Sequence, residues 1–351
     1  MKTVLRVVGT LYLVLLLIVG GSTGIPKLLP HGPELMYTSY DFGGKSYVYI
    51  LEVYSVVSQN MAGSARLLLG SALHSPSWSP DGNQIAFVES SNHITRIDLI
   101  SWDNARYIEG VFTSEYGSGI SHLIWSPDGS KIAFATSSCC YDYNGGIYVV
   151  KADGSDPVRV GAGDDPDWSP DGKQIIFVTN YWGFHDDGNE TSGIDIVDVE
   201  TKSVRSLVVH RNVSYARWSP NGSLIVYGAF EFGVDRMTSS IYTIRPDGTQ
   251  EHKISPVDAK DWCPSWSPDG KQIAFIDWDN PNSLMIMDAD GAHRRSIAEL
   301  SINSYLVWSP DGEWIATISQ YKIYAIHVRD GKIVQLTGEG NYSSLSWRPE
   351  S

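Results

Sequence analysis

An all-β ring of seven four-stranded blades, a β-propeller, is the fold that three features of this sequence predict. The first is a repeated pentapeptide. Trp-Ser-Pro-Asp-Gly stands intact at Trp78–Gly82, Trp125–Gly129, Trp168–Gly172, Trp266–Gly270 and Trp308–Gly312, and with Asn221 in the Asp place at Trp218–Gly222. The second is the period: copies fall roughly 40–50 residues apart, the length of one blade. The third is a degenerate copy, Trp347-Arg348-Pro349-Glu350-Ser351, which supplies one more inner strand. Six blades is the second choice.

Each element has a local reason. Pro sets the first corner of a type I turn, Asp accepts nearby backbone N–H groups, and Gly takes the left-handed conformation that closes the hairpin. Trp is an apolar plate suited to wedging between blades. The blade around Trp125 shows the pattern, with strands at Ser121–Ser126, Lys131–Thr136, Gly146–Lys151 and Asp156–Val160, designated A to D from the centre outward. On strand B, Ile85/Phe87 and Ile273/Phe275 share one face by period two. The remaining blades run Ser75–Val111, Asp165–Val209, Ser214–Ile254, Cys263–Ala298 and Ser304–Leu336. Two pieces are left over. Leu35–Tyr40, Ser46–Val53 and Ala65–Leu69 are three strands without a Trp motif, and Tyr342–Pro349 is a lone strand A. Pairing the last inside the first three completes a seventh blade and removes an open sheet edge.

The N-terminus is a separate matter. Met1–Gly24 reads as a signal peptide or an N-terminal anchor: Lys2 and Arg6 precede an apolar Val7–Val19, and Gly20–Gly24 supplies small residues. The expected location is therefore exported: periplasm, cell surface or secreted. Contact with a membrane is expected only through this segment, if it is not cleaved. Ile25–Pro33 is a Pro-rich lead, and residues 34–351 form a single propeller domain.

Composition narrows the function. The net charge is −14, which disfavours nucleic acid because the phosphate backbone repels an acidic surface. Cys139, Cys140 and Cys263 form neither a disulfide framework nor a zinc-site spacing and read as incidental loop residues.

The repeat Trp-Ser-Pro-Asp-Gly-x-x-Ile-Ala-Phe, with Asp-Ala-Asp-Gly at Asp288–Gly291, resembles the WD40-like (PD40) β-propeller repeat of the TolB C-terminal domain. The resemblance spans nearly the whole chain after the leader. It implies an exported propeller used in protein interaction, expected to be monomeric. Similar repeats form the propellers of prolyl-oligopeptidase-type peptidases and some oligogalacturonate lyases. TolB has an added α/β domain, for which this sequence leaves no room, and six blades where the count here favours seven. No catalytic residue of these families maps onto the chain.

Strand order places the B–C and D–A connections on one face, the top. That face is acidic and aromatic across blades 3 to 6. Asp164, Asp165 and Asp167 enter blade 4, whose long B–C loop carries Tyr181, Trp182, Asp186 and Asp187. Asp261 and Trp262 enter blade 6, and Asp277 and Trp278 leave its strand B. Aromatic plates among carboxylates suit a protein, peptide or glycan ligand. No motif calls for a cofactor, although such clustered oxygens are also the ligands Ca²⁺ takes. Asp167 and Arg217, each just before a motif Trp, are expected to pair. His74, His185 and His210 fall in expected top loops and His122 begins a strand A. They motivate the alternative of a metal-assisted polysaccharide lyase or glycoside-active propeller.

Overall fold

A computed structural model describes residues 34–41, 46–52, 66–70, 73–91, 94–101, 107–114, 119–137, 146–181, 191–232, 237–278, 283–302 and 306–349. The expected leader and Pro-rich lead lie outside these residues. Among the described residues all regular structure is β, and no helix is long and apolar enough to cross a membrane.

The strands form seven blades in a ring. Blade 1 joins the two ends of the chain in the order Asn341–Trp347, Glu34–Tyr40, Ser46–Glu52, Arg66–Gly70. Blades 2 and 3 are Leu73–Trp78, Gln84–Ser91, Ile94–Ser101, Tyr107–Ser114 and Gly119–Trp125, Lys131–Ser137, Gly146–Lys151, Val158–Gly161. Blades 6 and 7 are Asp261–Trp266, Gln272–Asp277, Ser283–Asp288, Arg295–Glu299 and Val307–Trp308, Trp314–Ser319, Lys322–His327, Ile333–Gln335. Every neighbouring pair is antiparallel. The inner strands of consecutive blades touch around the ring, and Asn341–Trp347 reaches the inner strand of blade 2, so the ring closes as the degenerate seventh motif predicts.

Blades 4 and 5 correct one expectation. Blade 4 has Asp164–Trp168, Gln174–Tyr181 and Thr191–Asp198, and blade 5 has Ile225–Phe232, Met237–Ile244 and His252–Lys253. Between them Val204–Trp218 runs unbroken, serving as outer strand of blade 4 and inner strand of blade 5. His210 therefore lies within a strand rather than a top loop. Val208-Val209-His210-Arg211-Asn212-Val213 contains no Gly or Pro to break the extended chain.

The motif behaves as its chemistry requires, with one part the sequence did not suggest. In blade 3, Gly129 has φ +69° and its N–H bonds the Ser126 carbonyl at 2.8 Å. Asp128 accepts the Ser130 N–H at 3.0 Å. The addition is the serine. Ser126 Oγ donates to Asp128 at 2.6 Å and accepts the Lys131 N–H at 2.9 Å, stitching the turn to strand B. This bond is the largest cause of the Asp128 carboxyl falling to about 2. Asn221 substitutes without loss, because its amide oxygen takes the Ser219 hydroxyl and the Ser223 N–H in the same way.

The Trp rings are buried between blades, over the fully buried Phe87, Phe134, Phe177 and Phe275 of strands B. Five of the rings have a polar handle as well. The indole N–H of Trp125, Trp168, Trp266, Trp308 and Trp347 bonds the carbonyl of Ser77, Ile124, Arg217, Ser265 and Val307 respectively, at 2.9–3.3 Å. The acceptor is always the residue before the preceding blade's Trp. These rungs fix the spacing between blades near the axis.

Candidate functional site

The inner strands carry a further regularity that no motif announces. Three residues before the Trp, the backbone enters the left-handed region at Ser75, His122, Asp165, Tyr215, Cys263 and Ser344, with φ between 51° and 55°. The strand A to strand B register shifts at the same place in each of these blades. The extra residue is a β-bulge, which bends the strand and re-aims side chains. Its geometry repeats while its residue type does not, so it presents a different functional group from each blade at the top of the ring.

Over blades 3 to 5 two of those groups, His122 and Asp165, join a charged clasp. His122 Nδ1 lies 3.0 Å from Asp164 Oδ1, joining blade 3 to blade 4. Arg217 of blade 5 holds Asp165 bidentately at 2.9 and 2.8 Å and donates to its own Ala216 carbonyl at 2.7 Å. Asp167 accepts the backbone N–H of Trp218 at 2.7 Å. The expected Asp167–Arg217 pair is thus corrected: Asp165 is the bidentate partner. The bulge is the reason, because period-two counting back from Trp168 fails across it. Cys263, expected in a loop, is instead a free, buried thiol on the inner strand of blade 6.

The electrostatics follow from burial and partners. Burial pushes Asp167 up to about 6; the Arg217 charge opposes this and the neighbouring Asp165 reinforces it. The hydrogen bond to Asp164 raises His122 above the ordinary imidazole value despite burial. Burial works against an ionised Asp164, yet His122 holds it below the usual carboxylate range. Burial likewise works against the Arg217 charge, and Asp165 outweighs it. Burial drives the Cys263 thiol up to about 12, so it is neutral.

Beside the clasp lies an aromatic shelf on blades 5 and 6. Trp262 and Trp278 have ring centroids 4.8 Å apart, Tyr215 meets Trp262 edge-on at 5.6 Å, and Phe230 stands 6.1 Å from Trp278. All four remain partly exposed. Asp261 is different, being fully buried. Arg294 bonds both its oxygens, one at 2.8 Å, reaches Asp277 at 2.9 Å and covers the Phe275 ring at 4.6 Å. Asp261 is thereby spent on holding Arg294, while Asp277 lies at the rim of that pair.

Of the other sequence candidates, Tyr181 ends strand B of blade 4 opposite Thr191. Trp182, Asp186, Asp187 and His185 lie outside the described residues. His74 belongs to the inner strand of blade 2. Among the described residues no three or more His, Cys, Asp or Glu side chains are grouped to hold a metal ion.

A seven-bladed propeller closed by its own C-terminal strand, with a charged and aromatic face, defines the class of protein. The chain belongs to the PD40 family, the TolB beta propeller domain, whose model matches residues 22–260 and 186–351. An uncharacterized protein of Agrobacterium fabrum, Atu1656, is 27% identical over 265 residues, spanning 71% of this chain and 85% of its own. TolB from Acinetobacter baumannii is a structural likeness at TM-score 0.55 and 15% identity, covering 91% of this chain and 83% of its own. An oligogalacturonate lyase in complex with manganese has TM-score 0.62 at 14% identity, over 87% of this chain and 85% of its own. At such identities the two structures speak for the fold alone.

Proposed function

We propose that this is an exported, non-catalytic binding or scaffold propeller that recognises an envelope or extracellular protein, peptide or glycan through its top face over blades 3 to 6. The observation that carries the reading is the aromatic shelf. Tyr215, Phe230, Trp262 and Trp278 are large rings grouped side by side and left partly exposed, the residue types enriched where partners bind. In this reading Trp262 and Trp278, with Tyr181 and Trp182, supply contact area. Asp186, Asp187 and Asp277 supply charge. Asp164, Asp165 and Asp167 shape the floor, and Asp261 fixes Arg294. Export rests on the leader read in Met1–Gly24, and a protein partner agrees with the family's character. The test is cross-linked partner capture from the native envelope by the wild type and by a Trp278→Ala/Asp187→Ala double variant. Loss of the captured partner at an unchanged melting temperature is expected; full capture by the double variant overturns the reading.

One observation favours a second reading, a metal-assisted polysaccharide lyase or glycoside-active propeller. His122 stands on the same face with Nδ1 fixed by Asp164, which leaves Nε2 to exchange a proton. A stoichiometric transition metal in purified protein would move the assignment to this reading.

A further inference from the structure

The seam between blades 4 and 5 departs from the other described rungs. At Trp125, Trp168, Trp266, Trp308 and Trp347 the indole rung joins two neutral groups. Here the Trp218 indole N–H has no partner among the described residues, and the Asp167 carboxylate holds the Trp218 backbone N–H instead. The titratable and charged groups around Asp167 are Asp165 on its own strand, Arg217 on blade 5 and, near Arg217, the Cys263 thiol of blade 6. Beyond Asp165 stand Asp164 and, from blade 3, His122.

Their geometry dictates how the cluster takes up protons. Asp165 engages the Arg217 guanidinium with both oxygens. Asp167 is a second carboxylate, half-buried and near that single cation but bonded to the Trp218 N–H instead, so burial and the like charge of Asp165 both oppose its ionisation. It lies at about 6 accordingly. His122 faces the opposite situation: a carboxylate on Nδ1 favours its charged form, and it is raised above 6.5. Two neighbouring sites therefore hold a proton more tightly than their free side chains would, one on each side of the Asp165–Arg217 pair.

We propose that this seam is a proton-linked charge switch for the binding face, in which uptake of two protons, on Asp167 and His122, cancels the negative charge of the cluster. With both groups deprotonated, three carboxylates face one guanidinium and two negative charges remain. With both protonated, two carboxylates face a guanidinium and an imidazolium, and the cluster is neutral. A cationic ligand is drawn to the first state and not to the second. The consequence for binding rests on the proposed function; the titration itself does not.

The test needs no ligand. Folding constants of wild type and Asp167→Asn are compared from pH 4 to pH 8. The Asp167 shift is upward, so its proton stabilises the fold below the unfolded value of 3.8, and that stability is lost as pH rises through about 6. The variant has no such proton to lose. Its folding constant relative to wild type should therefore rise by about 100-fold across this range, the equivalent of two pKa units. For His122→Gln the ratio should fall as pH drops toward 6, because the wild type alone gains a stabilising proton. Carboxyl and imidazole NMR titration of wild type gives the same answer should a variant not fold. A flat Asp167→Asn ratio, or an Asp167 midpoint below about 5, a full unit under the shifted value, overturns the switch. That outcome leaves the binding reading standing. Partner capture that survives the Trp278→Ala/Asp187→Ala change overturns the binding reading and leaves the titration standing.

Discussion

Blade 1 and the seam between blades 4 and 5 both break the repeat, and they break it in opposite directions. In blade 1 the motif has lost its Ser and Asp, but the replacement adds contacts. Arg348 bonds Glu34 at 2.7 Å and the Gly82 carbonyl at 3.0 Å, and its guanidinium lies 5.4 Å from the Trp78 ring centre. One residue thereby ties both ends of the chain to the next blade. Between blades 4 and 5 the motif is nearly intact, yet the indole rung is gone and ionisable groups stand in its place. A break in the bottom turn serves closure. A break in the residues before the Trp places chemistry at the top.

The largest test of this contrast is removal of residues 342–351. The cut takes away the buried Leu345 and Trp347 and unpairs Glu34–Tyr40 on its inner side. Deleting two such side chains alone costs about 5 kcal/mol or more. We expect loss of a cooperative unfolding transition by calorimetry. A truncated chain that melts like its parent would mean the ring does not depend on its clasp.

Arg348→Ala should follow with a smaller effect. It removes the Glu34 ion pair and the Gly82 bond while leaving the strand in place, so about 1–3 kcal/mol is expected from urea unfolding. Arg348→Lys should recover only part, because an ammonium cannot bridge both partners in the planar guanidinium geometry. Equal stability of all three proteins would reduce Arg348 to a bystander.

The fold was legible because one pentapeptide performs one structural task at every copy, and because two unmatched terminal pieces completed a blade. The leftover strand was the informative feature: Tyr342–Pro349 had no partner in sequence and finds one at Glu34–Tyr40. The top face was only partly legible. Asp164, Asp165 and Asp167 stand out as a run of acids, but the bulge that decides which of them meets Arg217 has no sequence signature. Its positions are Ser75, His122, Asp165, Tyr215, Cys263 and Ser344, which share a backbone conformation and a place three residues before the motif Trp but no residue type. Cys263 and Tyr215 were missed as neighbours of the clasp for that reason. The turn serine was missed because its two bonds are local and leave no long-range pattern. His210 was misplaced because a D–A loop was assumed where extended chain simply continued.

The smallest effect isolates the rung itself. Trp125→Phe and Trp218→Phe make the same change in volume at equivalent, equally buried positions. Trp125 loses a bond to the Ser77 carbonyl, while Trp218 loses none, its indole N–H being buried and unpartnered among the described residues. Truncation of the ring costs both proteins a similar packing term, so the difference reads the hydrogen bond. Leaving the Ser77 carbonyl without its donor should cost about 1 kcal/mol, and removing an unsatisfied N–H should return a comparable amount. Trp218→Phe is therefore expected to be the more stable variant by about 1–2 kcal/mol in parallel urea melts. If the two variants are equally stable, the indole rungs contribute nothing to the spacing of the blades, and the seam between blades 4 and 5 is distinguished by its charges alone.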